Sequence, residues 1–264
     1  MKVIDSILDF PKGDWGEDRL FFGDKSIGVI DGSSPISVVP IEGYHSQAEW
    51  LADNLAKELE AWEGTFIPNL CKNITKSLRN SDDFASIDLA KENFPCATFG
   101  GISCYFDRVT GFVLGDCTII FEHKNGILEV LTDNRISKFS DKTKEVRKLA
   151  LERGEDVTEA VKRQMTANRQ AMNTGGGFWT VSLYGSYWKE FAHKSFNVSE
   201  LKRCLIMSDG FERVFSNKLV SFQDVLSGKV SLSSALKTLR GWEDNNESLE
   251  VKRHDDATAI LVEF

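Results

Sequence analysis

The sequence predicts an α+β protein built around stacked antiparallel sheets, and three features carry that expectation. The middle of the chain, "CATFGGISCYF" and "GFVLGDCTIIF", is apolar at nearly every position, as in strands covered on both faces. The connections there are short. "DRVTG" separates the two stretches, and "KNG" (Lys124 to Gly126) leads into "ILEVL" with an Asn-Gly hairpin signal. Short turns join antiparallel neighbours, so a meander is expected rather than a βαβ array. Helical periods elsewhere in the chain would cover one face while a second sheet covers the other.

Val3 to Phe10, Arg19 to Phe22 and Ile27 to Asp31 read as short extended segments. In "HSQAEWLADNLAKELEAW", Ser46 and Glu49 have capping-box spacing, and Ala48, Leu51, Ala52, Leu55, Leu59 and Trp62 form one apolar stripe. A second helix is expected over Ile67 to Leu78. After the meander, residues 136 to 172 read as two amphipathic helices rich in Lys and Arg. Their charges alternate with acids, which marks a solvated face. "NTGGGFWTVSL" opens further strands ending in "CLIM"; "FQDVL" and "SSALKTL" are short helices, and "ATAILVEF" closes the chain as a strand. With no repeat, low-complexity tract or Pro/Ser-rich linker, residues 1–264 read as one domain.

A chain of 264 residues buries roughly 70–75 % of its unfolded surface. The net charge of -8 argues against nucleic acid and anionic lipid as partners. No apolar run approaches the about 18 residues of a bilayer span, and "MKVIDSILDF" lacks a signal-peptide core. Five cysteines, Cys71, Cys96, Cys104, Cys117 and Cys204, are odd in number, and most lie in apolar runs without C-x-x-C spacing. They read as buried thiols of a cytoplasmic protein rather than as disulfides, a zinc site or a nucleophile.

The chemistry is expected at the strand ends. "SIGVI" ends at Asp31-Gly32, "GFVL" runs into Gly115-Asp116, and "CLIM" ends at Ser208-Asp209-Gly210. "ATAILVEF" begins after Asp255-Asp256, and Glu17-Asp18 precedes "RLFF". Any one of these is a turn signal, and Asp209 has the alternative role of capping a helix that begins at Phe211. Several carboxylates gathered at one sheet edge, however, would repel each other without a cation. Carboxylate oxygens are the ligands that Mg²⁺ and Mn²⁺ prefer, and a neighbouring glycine lets a backbone carbonyl approach the ion.

"GEDRLFF", "IDGSS", "ATFGGISCYF…FVLGDC", "MSDGF" and "DDATAILVEF" occur in an order and spacing that resemble the metal-dependent (type 2C) protein serine/threonine phosphatases, in a compact, bacterial-like form. The resemblance covers essentially the whole chain. It implies a four-layer α/β/β/α sandwich with a two-metal site at one end. Transferred residue by residue, Asp31 would bridge two Mn²⁺ or Mg²⁺ ions and position the water, and Gly32 would add its carbonyl oxygen. Asp209 and Asp255 would hold one ion and Glu17-Asp18 would serve the other. Asp116 matches a position that helps bind a third, weaker ion in some members, and Asp256 would stand behind the ligands. The implied reaction is hydrolysis of phosphoserine and phosphothreonine in proteins by a water activated between the ions. The implied partners are phosphoproteins and an opposing serine/threonine kinase.

Two positions depart from the pattern. "DGSSPISVVP" has no histidine where many relatives carry one to protonate the leaving alkoxide; the nearest is His45. Gly13 stands where an arginine often holds phosphate, leaving Lys12 or Arg19 as substitutes. These departures keep open a pseudophosphatase that binds without turnover. The same metal site would also suit a hydrolase of small phosphorylated metabolites. "TGGG" lacks the Lys-Ser/Thr of a phosphate loop, and His254-Asp255 opens a strand rather than a helical HD site.

Overall fold

A computed structural model describes residues 1–11, 13–33, 35–39, 41–64, 66–81, 84, 90–246 and 252–264. Its strands are β1 (Lys2–Asp9), β2 (Arg19–Phe22), β3 (Ser26–Ser33), β4 (Cys96–Tyr105), β5 (Arg108–Leu114), β6 (Thr118–His123), β7 (Leu128–Thr132), β8 (Val181–Ser182), β9 (Ala192–Asn197), β10 (Leu201–Met207) and β11 (Ala257–Glu263). The helices are α1 (Gln47–Glu60), α2 (Ile67–Arg79), α3 (Ser137–Arg153), α4 (Val157–Ala171), α5 (Asp209–Ser216), α6 (Phe222–Leu226) and α7 (Leu232–Asn245).

The strands form two antiparallel sheets. One has the order β1-β11-β10-β6-β7; the other has β2-β3-β4-β5-β9, with β8 paired to β4. Alternation along the strands explains why they read as apolar throughout. On β10, Cys204 and Ile206 point into a core between the sheets that also holds Val29, Ile102, Val113 and Phe121. Leu205 and Met207 point the other way, onto Phe211 and Val214 of α5 and Leu236 and Leu239 of α7. The outer face of the second sheet is covered by α1 and α2, through Leu51, Leu55, Leu59, Leu70 and Ile74 packed on Phe21, Ile30 and Phe99. Helices, sheet, sheet and helices thus make the four-layer sandwich.

Three local expectations need correction. "DRVTG" is not all turn: Arg108 to Gly111 belong to β5, because Val109 is buried in the core between the sheets. β5 and β6 do not form a hairpin, for Gly115 to Cys117 carry the chain from one sheet to the other. The capping box on α1 is half made. Ser46 Oγ accepts from the Glu49 amide at 3.0 Å, while the Glu49 carboxylate accepts from the His45 amide at 2.8 Å.

Among the described residues, no helix is long and apolar enough to cross a membrane. All five cysteines are free thiols.

Candidate metal centre

The acidic segments come together at one end of the sandwich. Asp31 lies on β3, Asp116 sits in the crossing between sheets, Asp209 opens α5 directly after β10, and Asp255 and Asp256 precede β11. One carboxylate oxygen each from Asp31, Asp116 and Asp209 lies within 4.8 Å of the other two. Two glycines permit this. Gly115 has φ +81°, left-handed backbone that turns the chain so that Asp116 faces back towards β3. At Gly210, a Cβ would stand 1.9 Å from the carbonyl oxygen of Asp256. The glycine after Asp209 therefore lets the start of α5 pack against the strand end that carries Asp255.

Mutual repulsion is written into the charges. Burial raises the Asp31 carboxyl well above the usual carboxylate range, and Asp18, Asp209, Asp116 and Asp255 raise it further. Asp116 is pushed up to about 7 by burial and by Asp209. Asp209 is raised by burial and Asp255, although Arg213 and Lys252 oppose the rise. Asp18, 2 % exposed, is raised by burial against a donated bond from Thr258 Oγ1 at 2.6 Å. A set of oxygen donors this close, each resisting ionisation beside the others, suits a hard divalent cation.

The carboxylates form the floor of a cleft of about 250 Å³. Asp255 lines it too, and the opposite wall comes from α3 and α4, through Phe139, Lys144, Met165 and Arg169, and from Phe178. The helices read as solvated faces thus have an inward side. Arg169, only 5 % exposed, donates to the Ser33 carbonyl at 2.7 Å and to Cys96 Sγ at 2.8 Å, tying α4 to the end of the strand that carries Asp31.

Gly32 lines the cleft. Glu17 accepts from Ser46 Oγ at 2.6 Å, and its amide donates to Asp256 Oδ2 at 2.6 Å, so Asp256 fixes the backbone of the acidic pair. Arg19 is committed elsewhere: it donates to the carbonyls of Gly16 and Asp18 and pairs with Glu49 and Asp53. His45 stacks on Trp15 at 4.6 Å and pairs with Glu49. Neither Arg19 nor His45 is among the residues lining the cleft, and Lys12 lies outside the described residues. Sequence reasoning missed Arg213 and Lys252, which both line it. Their signal was spacing, since Arg213 lies four residues after Asp209 on the same helix and Lys252 three before Asp255.

Two stacked antiparallel sheets between helical layers, with carboxylates converging at one end, define the class of fold and site. Neither a protein-family model nor a curated protein sequence matches the chain. Solved structures do match. The serine/threonine phosphatase Stp1 from Staphylococcus aureus aligns over 100 % of this chain and 96 % of its own, with TM-score 0.55 and 14 % identity. The serine/threonine phosphatase PstP/Ppp of Mycobacterium tuberculosis aligns over 98 % and 97 %, with TM-score 0.53 and 12 % identity. RsbX, solved in complex with magnesium, aligns over 97 % and 92 %, with TM-score 0.50 and 12 % identity. The chain has the fold of the bacterial type 2C serine/threonine phosphatases.

Proposed function

We propose that the chain is a Mn²⁺- or Mg²⁺-dependent hydrolase of phosphoserine and phosphothreonine in proteins, working in the cytoplasm opposite a serine/threonine kinase. The observation that carries this reading is the convergence of Asp31, Asp116 and Asp209 to within 4.8 Å. Those three would hold a divalent ion, with the Gly32 carbonyl and Asp18 beside Asp31 and with Glu17 and Asp255 at the margins of the site. A pair of such ions, when bound, acidifies water and offsets the charge that builds up on phosphoryl oxygens.

The chain's own residues supply position. Asp31 is fixed on a strand inside the sheet, paired with Thr98 of β4, so its carboxylate approaches from a rigid element. Asp209 stands at the junction of β10 and α5 and cannot swing away without unpacking Phe211 and Val214. Phe139, Met165 and Phe178 form an apolar wall facing the acids and exclude water from part of the cleft. His45, stacked on Trp15 and not among the residues lining the cleft, has no role in this reading.

The test is hydrolysis of p-nitrophenyl phosphate and of a phosphothreonine peptide with Mn²⁺ or Mg²⁺, with chelator, and in Asp31→Asn and Asp209→Ala. Metal-stimulated turnover that both substitutions remove is expected. A folded wild-type protein without such turnover would overturn the reading, and retained phosphopeptide binding would then indicate a binding module.

A further inference from the structure

The cleft above the carboxylates has an apolar side that a phosphate does not occupy. On α4, Met165, Asn168 and Arg169 all line it, the i, i+3, i+4 spacing of one helix face, and α3 adds Phe139, with Ile136 just ahead of it. Asn168 ties the two helices together, for its Nδ2 donates to the Phe139 carbonyl at 3.2 Å and to Thr143 Oγ1 at 3.0 Å. Phe139 and Phe178 have ring centroids 4.9 Å apart, and with Ile136 they pack on the buried Cys96 and Met172. The platform is therefore in place before any ligand arrives.

Met165 differs from its neighbours. It is half-buried, lines the cleft, and among the described residues joins none of the apolar cores. A flexible thioether beside an open cleft adapts to apolar groups of varied shape. Thr180 lines the same cleft, is 1 % exposed, and has a hydroxyl with no hydrogen-bond partner among the described residues. Its amide donates to Asn173 Oδ1 at 2.9 Å, so a fixed polar group stands here that the protein alone leaves unsatisfied.

Charge narrows the choice of occupant. From residue 137 to residue 171, nine lysines and arginines stand against six aspartates and glutamates, in a chain whose net charge is -8. The hairpin of α3 and α4 thus attracts anions. A phosphorylated segment of protein is an anion that also carries a side chain beside its phosphate and a backbone carbonyl able to accept from Thr180. Sugar phosphates are anions too, but their hydroxyls would lose water against Phe139 and Phe178 without gaining bonds in return.

We propose that Ile136, Phe139, Met165 and Phe178 form a side-chain subsite that selects phosphoproteins with a large apolar residue next to the phosphorylated one. This inference rests on the proposed function, which places the phosphate over the carboxylates. Adjacent residues are about 3.8 Å apart at Cα, so the side chain beside a phosphothreonine stays within the same cleft.

The experiment compares wild type, Met165→Ser and Met165→Leu, all loaded with Mn²⁺. The substrates are phosphothreonine peptides that differ only in carrying Leu or Ala immediately before or immediately after the phosphorylated residue, together with glucose 6-phosphate. Kinetics give kcat/KM, fluorescence anisotropy of labelled peptides gives affinity, and the thermal midpoint reports folding. In wild type, kcat/KM for Leu over Ala should be about tenfold on one side of the phosphothreonine, as for an apolar group filling a pocket, and glucose 6-phosphate should be the poorest substrate. Met165→Ser should bring the Leu to Ala ratio close to one, mainly through KM, and Met165→Leu should keep it. A wild-type ratio near one on both sides, a ratio that Met165→Ser leaves intact, or glucose 6-phosphate as the best substrate overturns the subsite. Tighter binding of the Leu peptide that Met165→Ser abolishes, without turnover of any ester, keeps the subsite and removes only the hydrolase reading. Metal-stimulated turnover with no preference for Leu does the reverse.

Discussion

The Thr258 hydroxyl donates to Asp18 Oδ2 at 2.6 Å across 240 positions of sequence. Thr258 lies on β11 of one sheet and Asp18 immediately precedes β2 of the other, so this bond joins the two sheets beside the acidic cluster. Both residues are buried, at 0 % and 2 % exposure. Thr258→Val keeps the shape and removes the donor, leaving a buried carboxylate short of a partner. Stability should fall by about 1–3 kcal/mol, read by urea denaturation. An unchanged midpoint would show that the bond contributes nothing.

Gly210→Ala tests the close approach behind Asp209. The added Cβ would meet the Asp256 carbonyl oxygen at 1.9 Å, a backbone atom that cannot rotate aside. Relief requires moving α5 away from the start of β11, which displaces Asp209 from Asp31. A loss of about 3 kcal/mol is expected, of the size seen for overpacked sites. Mn²⁺ affinity should fall together with the thermal midpoint. Wild-type stability and metal affinity in this variant would contradict the packing described.

Removing metal should expose the repulsion among the acids as a pH dependence. Asp31, Asp18 and Asp209 are raised above the usual carboxylate range, chiefly by burial, and Asp116 reaches about 7. A group whose folded pKa is raised binds more protons folded than unfolded. Its contribution is therefore fully present below the unfolded value near 4 and is lost as pH rises through the folded value. Chelated protein should thus melt at a lower temperature at pH 8 than at pH 5.5. Asp53 is lowered by Lys57 and Tyr44 against the effect of burial, and Glu129 by Lys194 and His123, so both titrate below that window. Saturating Mn²⁺ should raise the midpoint most at pH 8 and flatten the dependence. A chelated protein whose stability is level across this range would refute the convergence of charge.

Much of this was legible in the sequence because it depends on local alternation. Cys204 to Met207 read as a strand buried on both faces, and the structure sends Cys204 and Ile206 to one core and Leu205 and Met207 to another. The Asp-Gly and Gly-Asp ends were visible for the same reason, since a carboxylate closing an apolar strand is a local contrast. The crossing at Gly115 to Cys117 was hidden, because an apolar run on either side of a turn looks alike whether the chain folds back in its sheet or passes to another. Lys252 and Arg213 were hidden as well. A cation on a short helix or loop is solvated by default, so the i,i+3 spacing of Lys252 and Asp255 carried little weight, and tertiary placement alone turns Arg213 towards Asp255. The helices α3 and α4 read as a solvated face with a place near the site left open, and the inward residues could not be picked out, for Arg169 and Lys144 sit among many charges of the same kind.

The cysteines give a direct check on burial. Cys71 is pushed up to about 12 by burial, and Cys204 is raised by burial alone. Cys117 is raised by burial and by the charge of Asp31. Only Cys104 is half-exposed. Native protein treated with iodoacetamide at pH 8 should therefore be modified first at Cys104, and the others should react only on unfolding. Rapid native labelling of Cys71 or Cys204, located by peptide mass, would mean that the cores around α2 and β10 open readily.

Arg169→Met addresses how the helical wall of the cleft is held. The guanidinium donates to the Ser33 carbonyl and hydroxyl at 2.7 and 3.1 Å, to the Phe94 carbonyl at 3.3 Å and to Cys96 Sγ at 2.8 Å. Ser33 ends β3 two residues after Asp31, Cys96 opens β4 two residues before Thr98, and Phe94 lies just ahead of that strand. Methionine fills the space of the stem and leaves the acceptors without donors, at a cost of about 2–4 kcal/mol for several bonds to a charged group. Lysine should not rescue, because one ammonium cannot reach acceptors spread around a planar fork. The hairpin of α3 and α4 should become the first site of proteolytic nicking, and Mn²⁺ affinity should drop because the strand end carrying Asp31 loses its outer tether. If protease resistance over residues 137–171 and metal affinity both match wild type, Arg169 does not couple the wall to the floor.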